Sequence, residues 1–169
     1  EFRRVLFRSD LKTAQLCMTA AARHKGTAVV ECLVNCVIFN DGAHGWLAQK
    51  ENRADRTIVL EHGKPMIFGK NRDKGLVLDG FNLRVVTIGE GGVTEGDVLV
   101  HDASCTDSTL HRKLAMMEGP EMPIAMGVIR AVEEETYDEA VEAQIAEVQA
   151  KSKVKTFDDL MATCEQWNM

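Results

Sequence analysis

No apolar run in this 169-residue chain approaches the about 20 residues that a membrane-spanning helix needs, so no span is expected. Positive charge is short as well. The formal net charge is −6, and because Arg3, Arg4 and Arg8 outweigh Glu1 by +2 within the first nine residues, the other 160 carry −8. Such a chain repels phosphate backbones and anionic lipid headgroups, which leaves no electrostatic footprint for nucleic-acid or membrane-surface binding. The five cysteines show no CxxC and no Cys/His zinc spacing, so a complete metal site is not encoded here. Their odd number, with no secretory signal ahead of them, points to a reducing cytoplasm rather than a disulfide framework. Aromatic residues make up only 5% against 45% hydrophobic residues overall, so aliphatic and Met side chains must fill the core. Internal repeats, low-complexity tracts, a Ser/His/Asp order and a Walker pattern are all missing; GEGG at 89–92 lacks the lysine and the following helix signature. A soluble, cytoplasmic chain of one domain's length is expected.

The opening EFRRVLFRS is basic and apolar ahead of an acidic chain. It has no small-residue cleavage site and no apolar stretch long enough for a signal peptide. Its codons can be written as a common sequencing-adapter oligonucleotide translated in frame, so residues 1–9 are expected to be an adapter-derived artefact with no packed role, at most continuing the helix that follows. The native chain is then expected to be met at Asp10, in mid-domain.

From Asp10, which can cap a helix, Leu11, Ala14, Met18, Ala21 and Ala22 recur at helical spacing, and Gly26 sits where a helix commonly ends. TAVVECLV at 27–34 is a near-continuous apolar and β-branched run, the pattern of a strand covered on both faces as in a parallel sheet. Asn40, Asp41 and Gly42 supply turn and cap chemistry for a short helix over 43–52. A strand over 57–62 follows. The short apolar runs MIF, GLVL and LRVVTI, split by KNRDK and DGFN, predict hairpins on a small antiparallel sheet. A helix over 107–118, a strand over 125–132, a helix opened by the Thr136/Glu139 capping box and a last helix over 157–164 complete the reading. The box is followed by one stripe of Tyr137, Ala140, Val141, Gln144, Ile145 and Val148. The fold class is α/β.

Few residues carry a chemical signal. Asn35 and Cys36 stand just past the C-terminal end of the 27–34 strand, where open α/β sheets present functional groups. Cys36 reads either as a small buried hydrophobe or as a nucleophile, redox group or metal ligand. Cys32, deeper in the strand, reads as core, and Glu31 needs a hydrogen-bonding or charged partner if it is buried. His62, Gly63, Lys64 and Pro65 form a polar turn that either holds an anion or simply connects strand to hairpin. His101 and Asp102 are neighbours, but neighbours on a strand face opposite ways, which argues against a catalytic pair. Glu133, Glu134 and Glu135 precede a helix N-terminus, where negative charge is favoured.

Taken in order, HKGTAVVECLVNCVIFNDGA, LEHGKPMIFG, DVLVHDA and MGVIRAVEEETYDEAVEAQ resemble the C-terminal part of the β subunit of 2-oxoacid:ferredoxin oxidoreductases, most closely the 2-oxoglutarate branch. The likeness runs from about residue 10 to 169. It implies the C-terminal part of a thiamine-diphosphate-binding fold with a parallel sheet (10–56), followed by a small α+β C-terminal region (57–169). It also implies an enzyme in which 2-oxoglutarate, CoA and oxidised ferredoxin give succinyl-CoA, CO₂ and reduced ferredoxin, with thiamine diphosphate, Mg²⁺ and a [4Fe–4S] cluster as cofactors and an α subunit as partner. Cys36 matches the family's fourth cluster cysteine, although Asn35 stands where several members have Pro. The three earlier cysteines and the GDGD-type site for Mg²⁺ and diphosphate are not in this chain, so the catalytic residues are expected upstream and the chain alone is expected to be inactive. Pyruvate or broad 2-oxoacid specificity, and a non-catalytic subunit-interaction module, are the alternatives.

Overall fold

A computed structural model of the chain describes residues 2–7 and 11–163. Its strands form two sheets. In the larger, mixed sheet the order is β2 (Ala28–Leu33), β1 (Phe2–Phe7), β7 (Ile124–Ala131), β3 (Thr57–Leu60). β1 runs parallel to β2 and antiparallel to β7, while β3 runs parallel to β7. The smaller sheet is the expected antiparallel set, β4 (Ile67–Phe68), β5 (Lys74–Asp79) and β6 (Asn82–Thr87). Gly80 occupies the first central position of the β5–β6 turn at φ 60°, the conformation that a two-residue type II′ hairpin demands there.

Helices α1 (Leu11–Arg23), α2 (Gly45–Ala48), α3 (Lys50–Arg56) and α4 (Thr109–Ala115) join these strands, with a single 3₁₀ turn at Glu95–Asp97. One core serves β3, β7, the small sheet and α4. Leu47, Ile58, Leu60, Met66, Phe68, Leu76, Leu114, Met126 and Ile129 are buried there with Val98, Met117 and Ala125. As the scarcity of aromatics requires, Phe68 is the one ring among them. Gly127 lets β3 and β7 approach. It sits at φ 86°, and a Cβ there would stand 2.8 Å from the Leu60 carbonyl oxygen.

The chain divides into two compact units, Glu1–Glu133 and Glu134–Met169. The second holds α5 (Tyr137–Lys151) and α6 (Phe157–Thr163). The capping box forms as read: Glu139 N–H donates to Thr136 Oγ1 at 3.4 Å, and Thr136 N–H donates to the Glu139 carboxylate at 3.1 Å.

Four expectations change. Phe2–Phe7 does not extend the following helix but is extended and paired on both edges, where β2 and β7 both offer free backbone groups. β2 is not covered on both faces: its one strand neighbour among the described residues is β1, and Val29, Glu31 and Cys32 are exposed. Cys32 is therefore a surface residue rather than core. The helix over 43–52 is instead two short helices, broken where Gln49 turns extended at ψ 127°. The cap assigned to Asp10, together with Cys164, lies outside the described residues.

Candidate functional site

At the end of β2 the chain leaves the sheet and closes a tight loop. Asn40 N–H donates to the Cys36 carbonyl at 3.0 Å, forming an isolated bridge between these residues. Asn35 fixes the far side. Its Nδ2 donates to Asp41 Oδ1 at 2.8 Å, and its Oδ1 accepts the Gly42 N–H at 2.9 Å. The Asn-Asp-Gly turn read from sequence is thus tied back to Asn35, and the loop 36–40 is held as a small cradle around one sulfur.

Cys36 is exposed, and backbone N–H groups point at it. The Phe39 amide, followed by that of Ile38, holds its thiol below the ordinary cysteine value against an opposing effect of burial, with a lesser contribution from the Asn40 amide. Donors aimed at sulfur stabilise the thiolate, the form that binds iron or attacks an electrophile. The loop also presents bare apolar surface. Val37, Ile38 and Phe39 are 74%, 83% and 90% exposed, a concentration of apolar side chains beside a reactive sulfur.

The other cysteines differ. Cys17 is 2% exposed on α1, whereas Cys32 and Cys105 are exposed. Among the described residues no group of three or more His, Cys, Asp or Glu side chains is placed to hold a metal ion. The chemistry of Cys36 fits a single thiolate ligand of an iron–sulfur cluster; a full ligand set does not converge among the described residues.

The HGKP turn serves as a connection. Gly63 N–H donates to the His101 carbonyl at 2.8 Å, His101 N–H to the Lys64 carbonyl at 2.9 Å, and Lys64 Nζ pairs with Glu61 at 3.1 Å. His101 and Asp102 lie in a loop rather than on a strand, and they differ in exposure. His101 is 1% exposed and Asp102 is at the surface. The carboxylate instead lies 3.4 Å from His62 Nδ1. Sequence reasoning missed His111 and Arg130, which meet beside His101 with Arg130 Nη1 at 3.3 Å from His111 Nδ1. A signal existed for His111: with Leu110 and Leu114 it falls on the apolar stripe of α4.

An open groove of about 630 Å³ runs beside α4, floored by Leu83, Met117 and Met122 and rimmed by Arg112 and Lys113. A smaller concavity is formed where Arg56 stacks on Trp46 at 5.6 Å from the ring centroid and donates to the Pro120 carbonyl at 2.6 Å. Neither contains a pairing of acid, base and nucleophile. No helix among the described residues is long and apolar enough to cross a membrane.

Comparison with known proteins places the chain beside 2-oxoglutarate oxidoreductase subunit KorB of Mycobacterium tuberculosis, to which it is 32% identical over 155 residues. The match takes in 90% of this chain, which spans 41% of the length of that relative. No family model matches, and no solved structure matches.

Proposed function

From the KorB-like character of this chain we propose that it is part of the β subunit of a 2-oxoacid:ferredoxin oxidoreductase, acting on 2-oxoglutarate and CoA to give succinyl-CoA and CO₂ while reducing ferredoxin. The observation that carries the reading is the Cys36 loop: a sequence-matched cysteine past a strand end, exposed, with backbone amides turned on its sulfur. Thiamine diphosphate with Mg²⁺, held by residues outside this chain, would supply the decarboxylating chemistry, and a [4Fe–4S] cluster with Cys36 as one ligand would supply one-electron transfer.

Cys36 contributes one thiolate to that cluster. The amides of Phe39, Ile38 and Asn40 disperse its negative charge, and hydrogen bonds to cluster sulfurs are one of the determinants of reduction potential. Asn35, locked to Asp41 and Gly42, keeps the loop closed so that the sulfur faces outward. Val37, Ile38 and Phe39 keep water from the sulfur's flank once further protein surface covers them. The uncovered face of β2, a run with the composition of a buried parallel strand, supports the same requirement for additional cover from the rest of the subunit or its α partner. The proposal also takes residues 1–9 as adapter-derived, 10–56 as the end of the thiamine-diphosphate-binding domain and 57–169 as the C-terminal region.

The test is the iron content of the complete subunit. Cys36→Ala is expected to lower bound iron and the cluster's electron paramagnetic signal, while Cys105→Ala leaves both near the wild-type level. A full complement of iron in folded Cys36→Ala protein would refute the ligand assignment.

A further inference from the structure

Two imidazoles, those of His62 and His111, bond to the backbone of Ala103 and Asp102, and the ring of His101 beside them reaches across to β7. His101 Nε2 is 2.8 Å from the Val128 carbonyl of β7, an acceptor, so this nitrogen carries the proton. Its Nδ1 is buried without a hydrogen-bond partner. His111 Nε2, on α4, is 2.7 Å from the Asp102 carbonyl and must also donate; its Nδ1 accepts from Arg130 Nη1. His62 Nδ1 accepts the Ala103 N–H at 3.2 Å. His101, buried with its Nε2 on a carbonyl and its Nδ1 facing no partner, is therefore held as the neutral Nε2–H ring.

We propose that residues 101–103 form an acid-sensitive latch, closed while the His101 ring is neutral, whose opening frees the Asp102 carbonyl from His111 and so releases α4 and reshapes the adjoining groove. The surroundings give the device a direction. A proton added to His101 Nδ1 finds no acceptor in a ring that is 1% exposed.

The charged and titratable groups facing the latch are His62 from the turn after β3, Asp102 within it, Asp107 and His111 from the α4 region and Arg130 from β7. Burial, only partly opposed by the Val128 hydrogen bond, makes His101 harder to protonate in the fold, and His111 and His62 add to this. The unfolded or released ring takes up its proton at about pH 6.5. The latched state thus binds fewer protons than the open one, so its stability is full above that pH and falls as the pH drops below it.

Hydrogen exchange of the α4 amides, corrected for intrinsic rates, reads the opening directly. Between pH 6.5 and 5.5 the opening constant of α4 is expected to rise by about fivefold, because the released ring is already half protonated at the upper pH, while the β5–β6 hairpin changes less. His101→Gln, which can still donate to the Val128 carbonyl, is expected to flatten that slope. An equal slope in wild type and variant overturns the proposal. Should the variant not fold, ¹⁵N spectra of the wild-type rings decide. His101 is expected to stay in its neutral Nε2–H form at pH 6 in the folded protein, and an imidazolium there overturns the latch.

Discussion

The units Glu1–Glu133 and Glu134–Met169 reach ordered structure by different means. The first has an aliphatic core in which Leu47, Ile58, Leu76 and Leu114 are completely buried. Neither α5 nor α6 contains a buried residue, and Tyr137, Val148 and Phe157 are 86%, 62% and 72% exposed. Charge divides in the same way. Residues 1–133 hold 17 acidic and 17 basic side chains, and residues 134–169 hold 9 acidic and 3 basic, so the whole net charge of −6 belongs to the second unit. What orders α5 is local: the Thr136/Glu139 capping box, Asp138 and Glu139 in its first turn, Lys151 in its last, and the Glu147–Lys151 pair one turn apart. Helices of this length are marginal in water without packing, which makes α5 a helix specified by its ends and dependent on outside cover for more stability.

That contrast is open to direct attack by mutation. In the first unit, Leu114→Ala removes a fully buried side chain joining α4 to the core and is expected to cost about 2–5 kcal/mol in urea denaturation. Gly127→Ala sets a methyl group 2.8 Å from the Leu60 carbonyl at a φ that L-residues rarely adopt, and an expected loss of about 2–4 kcal/mol would show as a lowered midpoint. Thr136→Ala removes the cap of α5 and is expected to cost about 1 kcal/mol of helix stability, visible as reduced ellipticity at 222 nm without a matching shift in the first unit's transition. Smallest is Ile145→Ala, half-exposed on α5, which is expected to stay within about 0.5 kcal/mol of wild type. A core-sized loss at Ile145 would mean that α5 is held by packing after all.

The same division explains what could be read from the sequence. Signals that act over a few residues were legible: the Thr136/Glu139 box, the Asp-Gly turn between β5 and β6, the short runs that became the small sheet and the strand realised as Ile124–Ala131. Features decided by distant partners were not. The apolar run 27–34 forms a strand, but its composition implied cover on two faces and does not reveal that Val29 and Cys32 stand exposed. Nothing between Ala43 and Asn52 forecast the break at Gln49, since no Gly or Pro follows Gly45 there. The histidine latch was illegible because His62, His101 and His111 are far apart in sequence and meet only through the packing of α4 and β7.

At the candidate site the position of Cys36 past a strand end was legible, and its exposure sets aside the reading as a small buried hydrophobe. The amides that favour its thiolate were not, because they depend on the closure of the Asn35–Gly42 loop.

The measurement that tests the account most directly is ferredoxin reduction by the complete subunit assembled with its α partner, followed with and without 2-oxoglutarate and CoA. The account predicts reduction that requires both substrates, is abolished in Cys36→Ala and persists in Cys105→Ala. Failure of the wild-type assembly to reduce ferredoxin with 2-oxoglutarate, or an unchanged rate in Cys36→Ala, would contradict it.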